Sequence, residues 1–298
     1  MLCNFGNKVR CKLEIAYDGT DYCGWQRQLN APTIQECLEV TFFKTFGHLV
    51  KIQAASRTDA GVHAAGQVAL ITYDNFGLSP EHLFKVWNDK LPSAILIKSF
   101  AQASPTFNPW EKVIAKIYSY DLFLQKPMPM SSRFGWLYPA ISRLSWPDFL
   151  AYLQLFIGFH NFAAFSRKDP LTPKNPWRSL EAMKVVFDPV TNMPCENYFV
   201  EKLPEGFSTQ EKPSNASTCR IMLQAKGFLH FQIRRMLGAA LQYATMPNKN
   251  FWQKTKECLE GAKATPTDLP TFCAASKGLM LRKIFYDPAI YGDTSGGG

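Results

Sequence analysis

The 298-residue chain contains no apolar run near the roughly 18 residues that a membrane-spanning helix needs. Its opening, MLCNFGNKVRCK, holds no hydrophobic stretch between charges of the kind an export signal carries. A cytoplasmic protein with no membrane partner is therefore expected. The eight cysteines (Cys3, Cys11, Cys23, Cys37, Cys195, Cys219, Cys258 and Cys273) are scattered, with no C-x-x-C pair and no nearby histidine to complete a zinc set. They read as reduced packing thiols, and no metal is assigned. G-x-x-x-x-G-K-[ST], G-x-G-x-x-G, H-E-x-x-H and G-x-S-x-G are also missing, which removes most support for nucleotide hydrolysis, dinucleotide cofactors and zinc proteolysis. The five histidines stand isolated and receive no role.

What is present is ample material for a core, 46% hydrophobic and 14% aromatic, enough for one large domain or two ordinary ones. The 33 Lys and Arg against 24 Asp and Glu leave a formal charge of +9, which favours a polyanionic partner, nucleic acid ahead of a membrane surface.

The first hundred residues alternate between the two hydrophobic periods. Val9, Cys11, Leu13 and Ile15 recur every second residue, as on a half-buried strand. After the loop YDGTDYCGWQRQ, Thr33 and Glu36 form a capping-box pattern, Ile34, Cys37, Leu38 and Phe42 share a helix face, and Gly47 ends that helix. A strand near 50–56, the stretch 57–65, the strand GQVALITYD, a helix opened by Ser79-Pro80 with Leu83, Phe84, Trp87 and Leu91 inward, and the strand AILIKSF complete a β-α-β-β-α-β order. That order is the ferredoxin-like unit. It recurs downstream: the strand KIYSYDLFL, a helix from Ser145 to about Ile157, the strands SLEAMKVVF and CRIMLQA, helices at about 228–244 and 249–260, and a last strand LMLRKIFY. No residue-level repeat accompanies it. The expected fold is α+β: two ferredoxin-like halves with antiparallel sheets and a cleft between them, 1–104 and 105–288, with a flexible tail over 289–298. Residues 188–217, polar and rich in Pro, Asn, Ser and Thr, read as a long excursion outside the argument.

Chemistry gathers around SRTDAGVHA, residues 56–64. Asp59 and Gly61 suit a turn between strands, which is reason enough for both residues. As a nucleophile or base, Asp59 would have to stay ionised in a desolvating cleft, which needs a cation or hydrogen-bond donors nearby. Arg57 is close in sequence, yet side chains two apart need not converge. Arg234, in GFLHFQIRRMLGAA, lies three residues from both Phe231 and Leu237 and falls on the apolar side of a helix begun at 228, with Arg235 one step off it. An arginine there is either a buried partner for a carboxylate or an ordinary surface residue. Tyr118 and Tyr120 share one strand face, either in the core or on a surface where a base stacks.

Together these stretches resemble the tRNA pseudouridine synthase A family. The matching residues run in order along nearly the whole chain: Tyr17-Asp18-Gly19, Tyr22, Gly24-Trp25-Gln26-Arg27-Gln28, Arg57-Thr58-Asp59-Ala60-Gly61-Val62-His63, Tyr118 and Tyr120, Phe228-Leu229, Arg234, Gly238, and Gly278-Leu279. The resemblance implies a cofactor-free isomerase that turns uridine into pseudouridine in the anticodon stem-loop of tRNA, at nucleotides 38, 39 and 40, working as a homodimer. It implies that Asp59 is the catalytic carboxylate, that Tyr118 stacks on the target base, that Arg234 pairs with the aspartate, and that Arg57 helps hold or displace the flipped nucleotide. Such a carboxylate can attack C1′, add to the pyrimidine ring or take a ribose proton, and a route beginning at the sugar is the expectation.

The chain departs from the family pattern in four places. Phe107-Asn108-Pro109-Trp110 stands for Phe-His-Ala-Arg, and Phe228-Leu229-His230-Phe231 for Phe-Leu-Arg-His. Ser56 replaces a glycine, and Ala275-Ser276-Lys277 precedes Gly278-Leu279 where the family has Pro-Ala-x. The first two changes fall on expected tRNA contacts rather than on the reacting residues. Two rival readings find less support. An RNA-binding module of the RRM type would want aromatic base platforms that GQVALITYD lacks, and a glycosidase or nucleosidase would want a second carboxylate near Asp59.

Overall fold

The structure is a computed structural model that describes residues 8–167, 175–188, 201–261, 269 and 272–288. The 289–298 tail, residues 189–200 of the 188–217 segment, and Cys3 and Cys195 lie outside the described residues. The other six cysteines are free thiols. The chain divides into two compact units, 1–114 with 280–298, and 115–279. The boundary therefore falls ten residues later than the expected 104/105, and the last strand groups with the first unit from Met280 onward.

In the first unit the order is β1 (Lys8–Tyr17), α1 (Ile34–Phe46), β2 (Lys51–Ala54), β3 (His63–Asp74), α2 (Pro80–Lys90) and β4 (Ile95–Gln102). β1 lies between β3 and β4, with β2 on the far side of β3, all antiparallel. Of the expected inward residues of β1, Cys11, Leu13 and Ile15 are fully buried, while Val9, next to the strand's start, is only half-buried. The Thr33 hydroxyl accepts from the Glu36 N–H, and Gly47 ends α1 in the left-handed conformation at φ 73°. α1 buries Ile34, Leu38 and Phe42, and α2 buries Leu83 and Trp87. The Phe42 and Trp87 rings meet edge-on at 5.0 Å. Burial of such side chains stabilises the unit by about 1.5–3 kcal/mol each.

In the second unit β5 (Val113–Phe123) is followed by β6 (Trp136–Leu137), α3 (Trp146–Gln154), β7 (Gly158–Asn161), β8 (Trp177–Leu180), β9 (Ala182–Phe187), β10 (Gly206–Thr209), β11 (Thr218–Ala225), α4 (Gln232–Thr245) and α5 (Lys249–Leu259). β11 pairs antiparallel with both β5 and β9, while β10 adds parallel to β9. The single strand expected over 179–187 is two, interrupted at Glu181, whose N–H donates to the Gln224 carbonyl and whose carbonyl accepts from the Gly206 N–H. Tyr152 of α3 ties the helices together: it stacks on Tyr243 at 4.9 Å and on Phe251 at 5.6 Å, and its hydroxyl meets the Thr255 hydroxyl at 2.5 Å. Back within the first unit, β12 (Leu279–Tyr286) runs parallel to β3 through Met280 and Leu281. The chain is an α+β protein with largely antiparallel strand pairing and five α-helices among the described residues.

Candidate functional site

Asp59 sits in the first unit, in the connection from β2 to β3, and is half-buried beside an exposed Arg57. The turn it begins is closed by main-chain groups. The Val62 N–H donates to the Asp59 carbonyl at 3.1 Å, and Gly61 supplies the positive φ, 74°, that the third position of such a turn requires. A second layer of main chain grips this turn from the loop after β1. Trp25 donates its N–H to the Thr58 carbonyl, and Gly61 donates to the Tyr22 carbonyl, both at 3.1 Å. These bonds bracket Asp59 on either side.

The bracket depends on two glycines in that loop. A Cβ at Gly24, where φ is +88°, would lie 2.6 Å from the Thr58 oxygen, and one at Gly19 would lie 2.1 Å from the Val62 oxygen. Only glycine lets the two backbones approach so closely. Buried polar contacts complete the support. The Tyr17 and Thr58 hydroxyls meet at 2.8 Å, the Gln67 amide donates to the Ser56 carbonyl at 2.6 Å, and Trp25 is buried against Tyr17. His63 is 1% exposed, and its Nδ1 accepts from the Gly19 N–H at 3.2 Å while standing 3.1 Å from the Asp18 carboxylate. This isolated histidine thus holds the same two loops together.

Tyr118 and Arg234 belong to the second unit. Tyr118 lies on β5, 6% exposed, with its ring edge-on to Phe228 at 5.4 Å. Arg234 is half-buried in the first turn of α4. Its Nε–H donates to the Ala274 carbonyl at 2.8 Å, and its Cζ lies 5.0 Å from the centre of the Phe231 ring. Its charge also acts on the Tyr120 hydroxyl: burial drives that phenol well above its usual value, with Arg234 opposing. The side chain is therefore directed toward β5 and the 272–275 segment rather than outward. The helix expected from 228 starts only at Gln232, because Phe231 takes the left-handed conformation at φ 65°, uncommon outside glycine, and breaks helical continuity.

Lys116 was not anticipated. Two residues before Tyr118 on the same face of β5, its amine is pulled down to about 8 by burial. A lysine whose folded value lies below the ordinary 10.5 binds its proton less readily folded than unfolded. The charged form then costs stability fully below about pH 8, and the cost shrinks as pH rises from about 8 to 10.5, where the unfolded chain holds the extra proton. Lys116→Met is expected to be more stable than wild type at pH 7, with the gap narrowing across that window in urea titrations at a series of pH values. A gap independent of pH would mean the amine is solvated.

A cavity of about 420 Å³ in the second unit is lined by Asp121, Phe123 and Arg220 among others. On β5, Asp121 and Phe123 alternate with Tyr118 and Tyr120, so the cavity opens on the other face of the strand. Its Arg220–Asp121 pair is a bidentate contact at 2.7 and 2.8 Å between residues directly opposed across β5 and β11. Among the described residues no cluster of three or more His, Cys, Asp or Glu is arranged to hold a metal ion, and no helix is long and apolar enough to cross a membrane.

The chain matches the family described as tRNA pseudouridine synthase over residues 14–108 and 152–287, which take in Asp59 and Arg234; Tyr118 falls between the two segments. Among relatives bearing the name tRNA pseudouridine synthase A, the protein from Thermodesulfovibrio yellowstonii is 32% identical over 279 residues, covering 93% of this chain and all of the relative. The one from Methylacidiphilum infernorum is 29% identical, covering 94% of this chain and 96% of the relative. The chain belongs to the tRNA pseudouridine synthase A family, and so to the isomerases that act on tRNA.

Proposed function

We propose that the chain converts uridine to pseudouridine in the anticodon stem-loop of tRNA, at nucleotides 38, 39 and 40, with Asp59 as the catalytic carboxylate. The observation that carries this reading is the bracketed turn: a half-buried aspartate on a main-chain framework secured from both sides, within a segment that matches the family. Such a framework holds a carboxylate where a reacting carbon must be met within a few tenths of an ångström. Two ferredoxin-like halves remain the architecture we infer, supported in the first unit by the antiparallel order β2-β3-β1-β4 with two helices.

The reaction breaks C1′–N1 and forms C1′–C5, and the net balance moves one proton from C5 to N1. No electron is gained or lost, so no redox cofactor is required. Asp59 acts first at the sugar; Arg234 supplies the positive charge that keeps a desolvated carboxylate ionised. Tyr118 stacks on the uracil and, directly or through a water, receives the C5 proton. Arg57, exposed beside the turn, helps hold or displace the flipped nucleotide as it leaves its stack, a rearrangement costing a few kcal/mol that backbone contacts must offset. The excess of basic residues suits those contacts, and the protein acts as a cytoplasmic homodimer.

Purified protein incubated with an unmodified tRNA transcript, without metal or nucleotide, is expected to generate carbodiimide-dependent reverse-transcription stops at nucleotides 38–40. Binding without any such stop would reduce the protein to an RNA-binding module.

A further inference from the structure

Residues 272–278 run against α4 and β5 at distances that ordinary side chains would not allow. A Cβ at Gly238, one helical turn beyond Arg234, would lie 2.2 Å from the Phe272 oxygen and 3.2 Å from the Ala274 nitrogen. A Cβ at Gly278 would lie 2.6 Å from Cζ of Tyr120. Between these two contacts the segment makes three hydrogen bonds. The Ala274 N–H donates to the Arg234 carbonyl at 3.0 Å, the Arg234 Nε–H donates to the Ala274 carbonyl at 2.8 Å, and the Tyr120 hydroxyl donates to the Ala275 carbonyl at 2.8 Å. Tyr120 and Ala274 are fully buried.

Main-chain packing alone would need the two glycines but not the reciprocal bond to a side chain. With Nε held by a carbonyl and one face of the guanidinium near Phe231, the torsions of Arg234 and the plane of its guanidinium are constrained. Tyr120 anchors the neighbouring carbonyl, so the guanidinium and the phenol hold two consecutive carbonyls of one strand of main chain, those of Ala274 and Ala275.

We propose that 272–278 is a strap that sets the orientation of the Arg234 guanidinium, with Tyr120 and Gly238 as positioning residues for the isomerisation. Neither touches the substrate; both act through Arg234. This rests on the functional reading of Arg234 given above.

The test is a double-mutant cycle in single-turnover kinetics on unmodified tRNA. Tyr120→Phe removes one oxygen and introduces no clash, and it is expected to slow turnover roughly 10- to 100-fold, the cost of a small misplacement at a reacting centre, with tRNA affinity unchanged. On an Arg234→Lys background, which lacks the clamped Nε–H, the same change is expected to alter the rate less than about twofold, because coupled residues are not additive. Gly238→Ala is expected to follow the same pattern; if it does not fold, the Tyr120 cycle decides alone. Equal slowing in both backgrounds, or wild-type turnover in Tyr120→Phe, overturns the strap. Wild-type turnover in both Arg234→Lys and Arg234→Ala would instead overturn the role given to Arg234 itself, and the strap with it.

Discussion

Asp59→Asn is expected to abolish turnover, by on the order of 10³-fold or more, while leaving the fold intact and tRNA affinity within a few-fold of wild type. The two side chains have nearly the same shape, so the difference lies in charge. Asparagine cannot be an anion beside a developing positive charge at C1′, nor can it take a ribose proton. The turn should survive, because the bonds that close and bracket it run between main-chain groups: Val62 to Asp59, Trp25 to Thr58, Gly61 to Tyr22. Affinity should survive because contacts to a polyanion are distributed over many basic residues and no single carboxylate supplies them. Filter binding and a time course of carbodiimide-dependent stops on one tRNA transcript give both numbers. Turnover near the wild-type rate in Asp59→Asn would remove the carboxylate from the chemistry and leave it the turn residue that its sequence context also allows.

Local rules accounted for what is periodic or locally capped. The alternation of Cys11, Leu13 and Ile15, the Thr33 cap and the Gly47 stop are each written within a few residues, and each is realised in the first unit. The contacts that hold the candidate residues in place are of another kind. Gly19 and Gly24 against Val62 and Thr58, and Gly238 against Phe272, are close approaches between backbones remote in sequence, and a missing Cβ leaves no periodic signature. Gly19, Gly24 and Gly238 all fall among the residues that carry the family resemblance, but the resemblance gives no physical reason for them. The start of α4 departs from the periodic pattern for a related reason. Helical spacing extends back through Phe228, but the left-handed Phe231 is a backbone state that no hydrophobic pattern encodes. Lys116 escaped notice because a lysine between apolar strand residues looks solvated until the depth of the strand is known.

Arg234→Ala is expected to lower kcat by roughly 10²- to 10³-fold, the scale found when a single preorganised electrostatic group is removed from an active site. The geometry argues against the milder outcome appropriate to a solvated helix edge, since Arg234 is fixed at Nε by Ala274, lies near the Phe231 ring and acts on the Tyr120 hydroxyl. Part of the loss could come from stability, because the Ala274 carbonyl would lose a donor in a fully buried setting at a cost of about 1–3 kcal/mol. Rates are therefore compared well below the melting temperature of both proteins. Temperature separates the causes. A variant that is merely less stable regains the wild-type rate well below its melting temperature, whereas loss of a guanidinium used in the reaction slows turnover at every temperature. Arg234→Lys restores the charge without the clamped Nε–H, so it should fold like wild type and remain slow, because lysine offers a point charge in place of a planar fork. Wild-type turnover in Arg234→Ala at low temperature would leave the side chain a purely structural part.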